Sequence, residues 1–341
     1  MSAPAQQPAT PEATPRVALS VRNLTTSFRT DQGIVTAVQQ ASFDLHRGEA
    51  LGLVGESGCG KSVTSKSIMR LLPEHITRYG QDSQVLLGDD NLMTFSGRQM
   101  RDIRGNRIAM IFQEPMTALN PVFTVGWQLD EALRYHTQLG RSERKRRVIE
   151  LLDMVEIPSP EKRFSEFPHQ LSGGMRQRVV IAMALACEPE ILIADEPTTA
   201  LDVTIQAQIL KLMNDLRERT GTAILLITHD LGVVAQTCDR VVVMYAGQVV
   251  EQAPVRELFH NPSHPYTRAL LRSIPRSGKK ERGKRLATID GIVPSLTNMP
   301  PACRFADRCD CREDRCTVDL PELVQLNEQR SVRCHFPVHT D

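Results

Sequence analysis

Two glycine-rich stretches decide the fold of this chain: Gly55-Glu56-Ser57-Gly58-Cys59-Gly60-Lys61-Ser62 and, much later, Leu171-Ser172-Gly173-Gly174. The first has the form G-x-x-x-x-G-K-[ST], a loop whose backbone N–H groups surround phosphate oxygens. The second opens a predicted helix, and the positive N-terminus of a helix also attracts phosphate. An apolar run precedes the first stretch and a helical pattern follows it, as such a loop requires. Together the two stretches predict that ATP binds between two copies of the domain.

The composition limits the classes of protein to which this chain can belong. It has 341 residues, with 41 basic and 40 acidic side chains and 4% aromatic residues. A near-zero net charge and scarce aromatic rings argue against a nucleic-acid partner. The longest apolar run, at 179–187, is far shorter than the roughly 20 residues that cross a bilayer. Segment 1–15 lacks the pattern of a signal peptide, so we expect a disordered tail and a cytoplasmic chain that reaches membranes through partners.

Strand patterns alternate with helical patterns over most of the chain. Strands are predicted at 17–24, 42–45, 50–54, 107–112, 191–194, 223–227 and 240–245, and helices at 60–72, 124–139, 141–155 and 203–219. Such alternation predicts an α/β fold with a mostly parallel sheet that is covered on both faces. The two adjacent helices at 124–139 and 141–155 predict a mainly helical insert.

Two carboxylates stand at the end of one predicted strand. Asp195 and Glu196 follow strand 191–194, and ligands of open α/β sheets bind at the carboxyl ends of strands. Asp195 suits the shell of a Mg²⁺ ion that Ser62 also contacts, and Glu196 suits orienting and deprotonating an attacking water. Lys61 is expected to reach the β- and γ-phosphates of ATP. One carboxylate alone could be a helix N-cap, but that role does not suit both.

Gln113 and His229 also follow predicted strands. Gln113 can touch Mg²⁺ or water and sense the γ-phosphate, and His229 can hydrogen-bond the γ-phosphate and hold the water. Taken singly, such a glutamine is more often a solvated surface residue and such a histidine more often structural. Their positions relative to the carboxylates favour the catalytic interpretation for both.

The order of these motifs resembles that of ATP-binding-cassette (ABC) ATPases. The resemblance covers residues 17–260 and includes Ala200-Leu201-Asp202, between the carboxylates and His229. It implies an ABC-type P-loop ATPase with an antiparallel β edge beside the parallel sheet. It also makes Gln113 the Q-loop, Ser172-Gly173-Gly174 the signature, Leu201-Asp202 the D-loop and His229 the switch histidine.

The same resemblance implies a set of ATP contacts, namely Phe28, Gly55, Ser57, Gly58, Cys59, Gly60, Lys61, Ser62, Gln113, Ser172, Gly173, Gly174, Asp202 and His229. Phe28 falls where the family stacks an aromatic ring on adenine, and it could almost equally be a core residue between strands. Cys59 and Met175 depart from the common serine and glutamine, but backbone N–H groups act at both places. In this fold the signature cannot reach the glycine loop of its own chain. It therefore implies a head-to-tail dimer with two ATPs at the interface.

Three further stretches, at 113–121, 264–271 and 294–335, resemble the ATPase subunits of bacterial dipeptide/oligopeptide importers. This resemblance implies an ATPase that powers peptide import, bound peripherally at the cytoplasmic face of the inner membrane. Its partners would be two membrane permease subunits, an extracytoplasmic substrate-binding protein and a second ABC ATPase, for which we favour a heterodimer. Nickel, glutathione or opine import is an alternative, as is a soluble ABC ATPase that acts outside transport.

Five of the eight cysteines lie between positions 303 and 334. In the importer subfamily four cysteines hold a [4Fe–4S] cluster, and Cys303, Cys309, Cys316 and Cys334 match that pattern. Four thiolates also suit a structural Zn²⁺, so zinc is the alternative metal. Cys311 is an additional cysteine that the pattern does not explain. Five unliganded thiols are the third interpretation, which the short and proline-rich segment disfavours.

Four segments follow from these assignments. We expect a tail at 1–15, an ABC ATPase domain at 16–260 with a helical subdomain at about 115–172, a helix and linker at 261–300, and a Cys-rich metal-cluster extension at 301–341. Positions 276–285 hold six basic residues in ten. This run is interpreted as a solvated linker, with contact to anionic lipid headgroups as the alternative.

Overall fold

The computed structural model describes residues 16–31, 33–113, 118–199, 201–274, 289–297 and 299–338. The predicted tail at 1–15, the basic run at 276–285, Ala200 and residues 114–117 lie outside these ranges. Within them, no helix is long and apolar enough to cross a membrane.

Two β-sheets carry the fold. Their strands are β1 (Val17–Thr30), β2 (Gly33–His46), β3 (Ala50–Val54), β4 (Thr77–Tyr79), β5 (Gln84–Leu87), β6 (Asp90–Asn91), β7 (Ile108–Ile111), β8 (Ile191–Asp195), β9 (Ala223–Ile227), β10 (Arg240–Tyr245), β11 (Gln248–Pro254), β12 (Val324–Asn327) and β13 (Arg330–Val332). The α-helices are α1 (Lys61–Ile68), α2 (Gly97–Ile103), α3 (Val125–His136), α4 (Arg141–Met154), α5 (Pro160–Phe164), α6 (Gly173–Leu185), α7 (Val203–Thr220), α8 (Leu231–Thr237), α9 (Val255–His260) and α10 (Pro265–Arg272). Short 3₁₀ turns lie at Leu92–Thr94, Pro168–Gln170, Ala306–Arg308 and Asp314–Thr317.

The larger sheet has the strand order β12-β13-β11-β10-β3-β9-β8-β7. Its strands from β10 to β7 are parallel, and β11, β13 and β12 extend it in antiparallel fashion. Every residue of β3, β8 and β9 is buried, as expected for strands that are covered on both faces. The mostly parallel core predicted from the sequence is therefore confirmed.

The smaller sheet is antiparallel, with the order β2-β1-β5-β6 and with β4 also paired to β1. It is the antiparallel edge that the resemblance implies. The strands predicted at 17–24 and 42–45 are too short, because β1 and β2 form a hairpin of 14 residues each. Register shifts on both sides of Leu24, next to Asn23 at φ +49°, interrupt the polar–apolar alternation on which the prediction depended.

Helices α3 and α4 lie where the helical insert is predicted, and together with α5 and α6 they pack in one hydrophobic cluster with β7 and β8. The Thr124 side chain accepts the Trp127 N–H and so starts α3. Helix α1 ends at Ile68, before the predicted residue 72, because Arg70 adopts a left-handed φ of +49° that an α-helix does not tolerate.

The C-terminal residues continue the larger sheet. Strand β13 pairs with β11, with Glu251 opposite Val332 and Gln252 opposite Ser331. Tyr266 of α10 and Phe305 are buried against Tyr245 of β10 in an apolar cluster separate from that of the helices. This packing brings the cysteine segment to the side of the sheet on which β3 and β10 end.

Candidate nucleotide-binding site

The phosphate-binding loop, residues 55–62, joins β3 to α1. Gly55 has φ +151° and Gly60 has φ +103°, conformations that residues with a side chain rarely adopt. A Cβ at Gly55 would lie 2.2 Å from the carbonyl oxygen of Met244, and one at Gly60 would lie 2.7 Å from that of Ala37. The glycines are therefore required because the loop lies directly against β10 and β2.

Lys61 and Ser62 begin α1 beneath this loop. The buried Lys61 Nζ donates hydrogen bonds to the carbonyl oxygens of Gly55, at 2.8 Å, and Glu56, at 3.1 Å. Ser62 Oγ donates to Asp195 Oδ1 at 3.0 Å, although the two residues are far apart in sequence. Burial raises the pKa of Asp195, and hydrogen bonding from Ser62 and the lysine charges oppose that rise. A buried carboxylate beside a hydroxyl is a donor set that fits Mg²⁺.

Three side chains contact the Glu196 carboxylate. Its Oε1 lies 3.1 Å from His229 Nδ1, while its Oε2 accepts hydrogen bonds from Gln113 Nε2 and Thr199 Oγ1, each at 3.0 Å. Burial raises the pKa of Glu196, but the hydrogen bonds from His229 and Thr199 outweigh it and leave the pKa below its usual value. The carboxylate is therefore ionised at neutral pH and able to accept a proton. Its backbone has a left-handed φ of +49°, a strained conformation that clusters at active sites.

The predicted signature and D-loop residues lie at two neighbouring helix N-termini. Ser172 caps α6 by accepting the Met175 N–H, and Asp202 caps α7 by accepting the Ile205 N–H at 2.9 Å. A Cβ at Gly174 would lie 3.1 Å from the Ile205 side chain, so the two helix starts touch. Over the described ranges, no hydrogen bond joins Ser172 or Asp202 to the phosphate-binding loop.

Phe28 is half-buried in the smaller sheet, opposite Val35 of β2 and Thr77 of β4. The structure does not bring it into hydrogen-bonded or ring contact with the loop among the residues described. Its role as an adenine-stacking residue stays a prediction.

The C-terminal thiols converge. Cys303, Cys309, Cys311, Cys316 and Cys334 line one cavity together with His264 and His335. Burial, aided by the neighbouring Cys303, Cys309 and Cys316, raises the pKa of Cys334 to about 12. Cys311 differs from the others because Arg268 Nη2 contacts its Sγ at 3.0 Å. As placed in the described segments, no three His, Cys, Asp or Glu side chains are grouped closely enough to hold a single metal ion.

Sequence reasoning missed three residues at this site. Thr199 contacts the Glu196 carboxylate, Tyr266 Oη accepts the Glu56 N–H at 2.9 Å, and Arg308 pairs with the Glu56 carboxylate. The position of Thr199, three residues after Glu196, could have indicated this contact. Tyr266 and Arg308 lie more than 200 positions from the loop, and no local pattern indicates such contacts.

Two protein families match separate parts of this chain. The ABC transporter family matches residues 38–199, and the family described as oligopeptide/dipeptide transporter, C-terminal region, matches residues 250–316. The probable peptide ABC transporter ATP-binding protein y4tR of Sinorhizobium fredii is 53% identical over 316 residues, which are 93% of this chain and 94% of the relative. The dipeptide transport ATP-binding protein DppD of Bacillus subtilis is 52% identical, covering 93% of each chain.

A solved structure shares the fold. The dimeric ATP-binding cassette MJ0796, bound to ADP and phosphate, is 28% identical and superimposes with a TM-score of 0.62 over 70% of this chain and 99% of that chain. The fold, the loop and the Glu196 cluster thus define an ATP-binding protein of the ABC transporter family, and this chain belongs to that family. Within the family it carries the C-terminal region of the oligopeptide/dipeptide transporters. The resemblance found from the sequence is confirmed.

Proposed function

We propose that the chain is the subunit that binds and hydrolyses ATP to drive peptide import through a membrane permease. The observation that carries the proposal is Glu196, an ionised carboxylate that contacts Gln113, Thr199 and His229 next to the Ser62–Asp195 pair. The match of residues 250–316 to the oligopeptide/dipeptide transporter region supports peptides as the transported class. Nickel, glutathione and opine import are outcomes that transport assays would reveal.

We assign each step of hydrolysis to a residue of the site. Lys61 exchanges its contacts with loop carbonyls for the β- and γ-phosphates, and the loop N–H groups surround them. Ser62 and Asp195 would hold Mg²⁺, which neutralises phosphate charge when bound. Glu196 accepts a proton from water as the water oxygen bonds to the γ-phosphorus and the bond to the bridging oxygen breaks. Gln113 and His229 orient that carboxylate and the water, and the products are ADP and phosphate.

Glu196→Gln tests the assignment of the base. We expect ATP binding to persist and hydrolysis in the assembled transporter to fall by at least about 10²-fold, because general-base catalysis contributes about that much. The exposed Glu161→Gln on α5 is the matched control and should hydrolyse ATP like the parent protein. Hydrolysis at the parent rate by the Glu196→Gln transporter would refute the assignment.

The signature residues support a role in a partner's ATP site. We propose that Ser172, Gly173 and Gly174 cap the ATP held by a second ABC ATPase subunit, and we favour a heterodimer. In the assembled transporter, Ser172→Arg should block hydrolysis at one of the two sites while this chain's own loop still binds ATP. Loss of ATP binding at this chain's own loop would refute the assignment of the loop and the signature to two different ATP sites.

An exposed apolar patch on the helical insert supports contact with the permease. Phe123 and Trp127 stack with ring centroids 3.9 Å apart, and Trp127 is 42% exposed beside the exposed Val122. We propose that this patch receives a permease subunit and keeps the chain peripheral at the cytoplasmic face of the membrane, with a substrate-binding protein on the other side. Trp127→Ser should weaken assembly with the permease but leave ATP binding unchanged, and undiminished co-purification would count against this contact.

The cysteine cavity supports a [4Fe–4S] cluster within the proposed extension at 301–341. Zn²⁺ binds thiolates at about 2.3 Å, so a zinc site would draw four sulfurs to within about 4 Å of one another. A cubane cluster holds its four thiolates farther apart around a larger body. Cys303, Cys309, Cys316 and Cys334 line one cavity, and the lack of a C-x-x-C pair in this segment of the sequence favours the cluster over zinc. Because Arg268 engages Cys311, we assign the ligands to Cys303, Cys309, Cys316 and Cys334.

Metal analysis tests this assignment. Anaerobically purified protein should contain about four irons per chain, as one [4Fe–4S] cluster requires. Cys334→Ser should lose the iron, whereas Cys187→Ser, which lies outside the cavity, should keep it. Equimolar zinc without iron would refute the cluster.

A further inference from the structure

The C-terminal cysteine segment reaches directly into the phosphate-binding loop. Arg308, in the 3₁₀ turn Ala306–Arg308, forms two parallel contacts with the Glu56 carboxylate, from Nη1 to Oε2 at 2.7 Å and from Nη2 to Oε1 at 3.0 Å. The Arg308 side chain is only 4% exposed. Glu56 is the second residue of the loop. Paired N–H···O contacts of this kind are among the stronger and more directional ion pairs in proteins.

A second contact holds the backbone of the same residue. Tyr266 of α10 is fully buried, and its hydroxyl oxygen accepts the Glu56 N–H at 2.9 Å. The Arg308 guanidinium lies 5.7 Å from the centre of the Tyr245 ring and also donates to the Ile289 carbonyl oxygen. Glu56 is therefore fixed through both its side chain and its backbone by residues that follow the ABC core.

A third contact supports the other side of the loop. Arg304, four residues before Arg308, donates hydrogen bonds to the Ala246 carbonyl oxygen and to Gln39 Oε1. The next residue, Gly247, donates its N–H to the Cys59 carbonyl oxygen at 2.9 Å. One short segment thus supports the loop near both of its ends.

The position of Glu56 bears on nucleotide binding because its carbonyl oxygen is a hydrogen-bond acceptor of Lys61 Nζ. The directions of the loop N–H groups depend on the same backbone. A loop held in its binding conformation loses less conformational freedom when phosphates bind, which raises affinity.

We propose that Arg308 and Tyr266 are positioning residues of the phosphate-binding loop, and that the C-terminal segment sets the affinity for ATP through them. This inference rests on the proposed ATP site at residues 55–62. Both residues contact Glu56 and are not among the expected ATP contacts. Because Arg308 directly precedes Cys309, the order of the cysteine segment and the order of the loop are linked.

The test is a double-mutant cycle on the purified full chain, with the Kd for ATP measured by calorimetry. Arg308→Met and Glu56→Gln should each raise the Kd about 10-fold, because hydrogen bonds to charged groups contribute at least about that factor. The double variant should bind no more weakly than either single variant, since each removes the same pair. Arg308→Lys should recover part of the affinity through a single contact.

Arg312→Met is the matched control. Arg312 lies in the same segment but is half exposed and pairs only loosely with Asp307, at 3.5 Å. Its replacement should change the Kd by less than about twofold, as expected for a surface ion pair.

Three outcomes would overturn the inference. An unchanged Kd in both Glu56→Gln and Arg308→Met would refute the positioning role and leave the proposed ATP site intact, provided that Lys61→Ala has lost ATP binding. Weaker binding by Arg308→Met alone, accompanied by new protease cleavage within 289–338, would show that Arg308 only anchors the tail. An unchanged Kd in Lys61→Ala would instead refute the proposed ATP site, and the positioning role with it.

Discussion

His264 makes the stability of this protein sensitive to mild acid. It is the N-cap residue of α10 and is 2% exposed, and its Nδ1 accepts the Tyr266 N–H at 3.0 Å. Burial is the main cause that lowers the pKa of His264 to about 3; a hydrogen bond with the Arg333 backbone opposes the change, and the Arg333 charge adds to it. The side chain is thus neutral in the folded protein at pH 5, and its Nδ1 acceptor depends on that state.

The size of the effect follows from the two pKa values. His264 becomes protonated near pH 6.5 in the unfolded chain, whereas in the folded chain it stays neutral until the pH falls to about 3. The unfolded state is therefore favoured as the pH falls below 6.5, and stability is unaffected by this residue above that value. At pH 5 the loss is about 2 kcal/mol, from 1.5 pH units at 1.36 kcal/mol each.

Glu251 faces the same site and acts in the opposite direction. Its carboxylate accepts the N–H groups of Ser263 and His264, and burial raises its pKa. A carboxyl group whose pKa is raised in the folded state stabilises the folded protein as the pH falls through that raised pKa. The effect of His264 must therefore be measured as a difference between variants.

Urea unfolding followed by circular dichroism at pH 7.5 and pH 5.0 provides that difference. His264→Asn keeps a side-chain acceptor at the N-cap but does not titrate. Between the two pH values, the parent should lose about 2 kcal/mol more stability than this variant. The exposed His75→Asn should behave like the parent. Equal losses in the parent and in His264→Asn would refute the reasoning.

Two glycine substitutions test the packing. Gly55→Ala places a Cβ 2.2 Å from the Met244 carbonyl oxygen and should abolish ATP binding in calorimetry, whereas Gly97→Ala, with open space around it, should bind normally. Gly126→Ala places a Cβ 2.5 Å from the Phe164 ring and should cost about 1–3 kcal/mol in thermal unfolding. A parent-like ATP affinity in Gly55→Ala, or a parent-like unfolding temperature in Gly126→Ala, would contradict the respective expectation.

The parallel core was predictable because its signals are local. Strands 223–227 and 240–245 match β9 and β10 residue for residue, since continuous apolar runs end at clear boundaries. The convergence of Gln113 and His229 on Glu196 was partly predictable as well, because parallel strands end at one edge of the sheet. The hairpin of β1 and β2 was harder to predict, since register shifts disrupt the polar–apolar alternation in β1.

The sequence by itself determined the phosphate-binding loop, the pair of carboxylates at the end of β8 and the ABC transporter family, because each depends on residue types at short, fixed spacing. The tertiary structure decided how these parts are held. The Arg308–Glu56 pair joins residues 252 positions apart, and the packing of Phe305 against Tyr245 of β10 brings the Arg308 segment to the loop. It also decided that the thiols share one cavity and that Cys311 faces Arg268. Contacts of this range arise from the packing of whole elements, which no local pattern encodes.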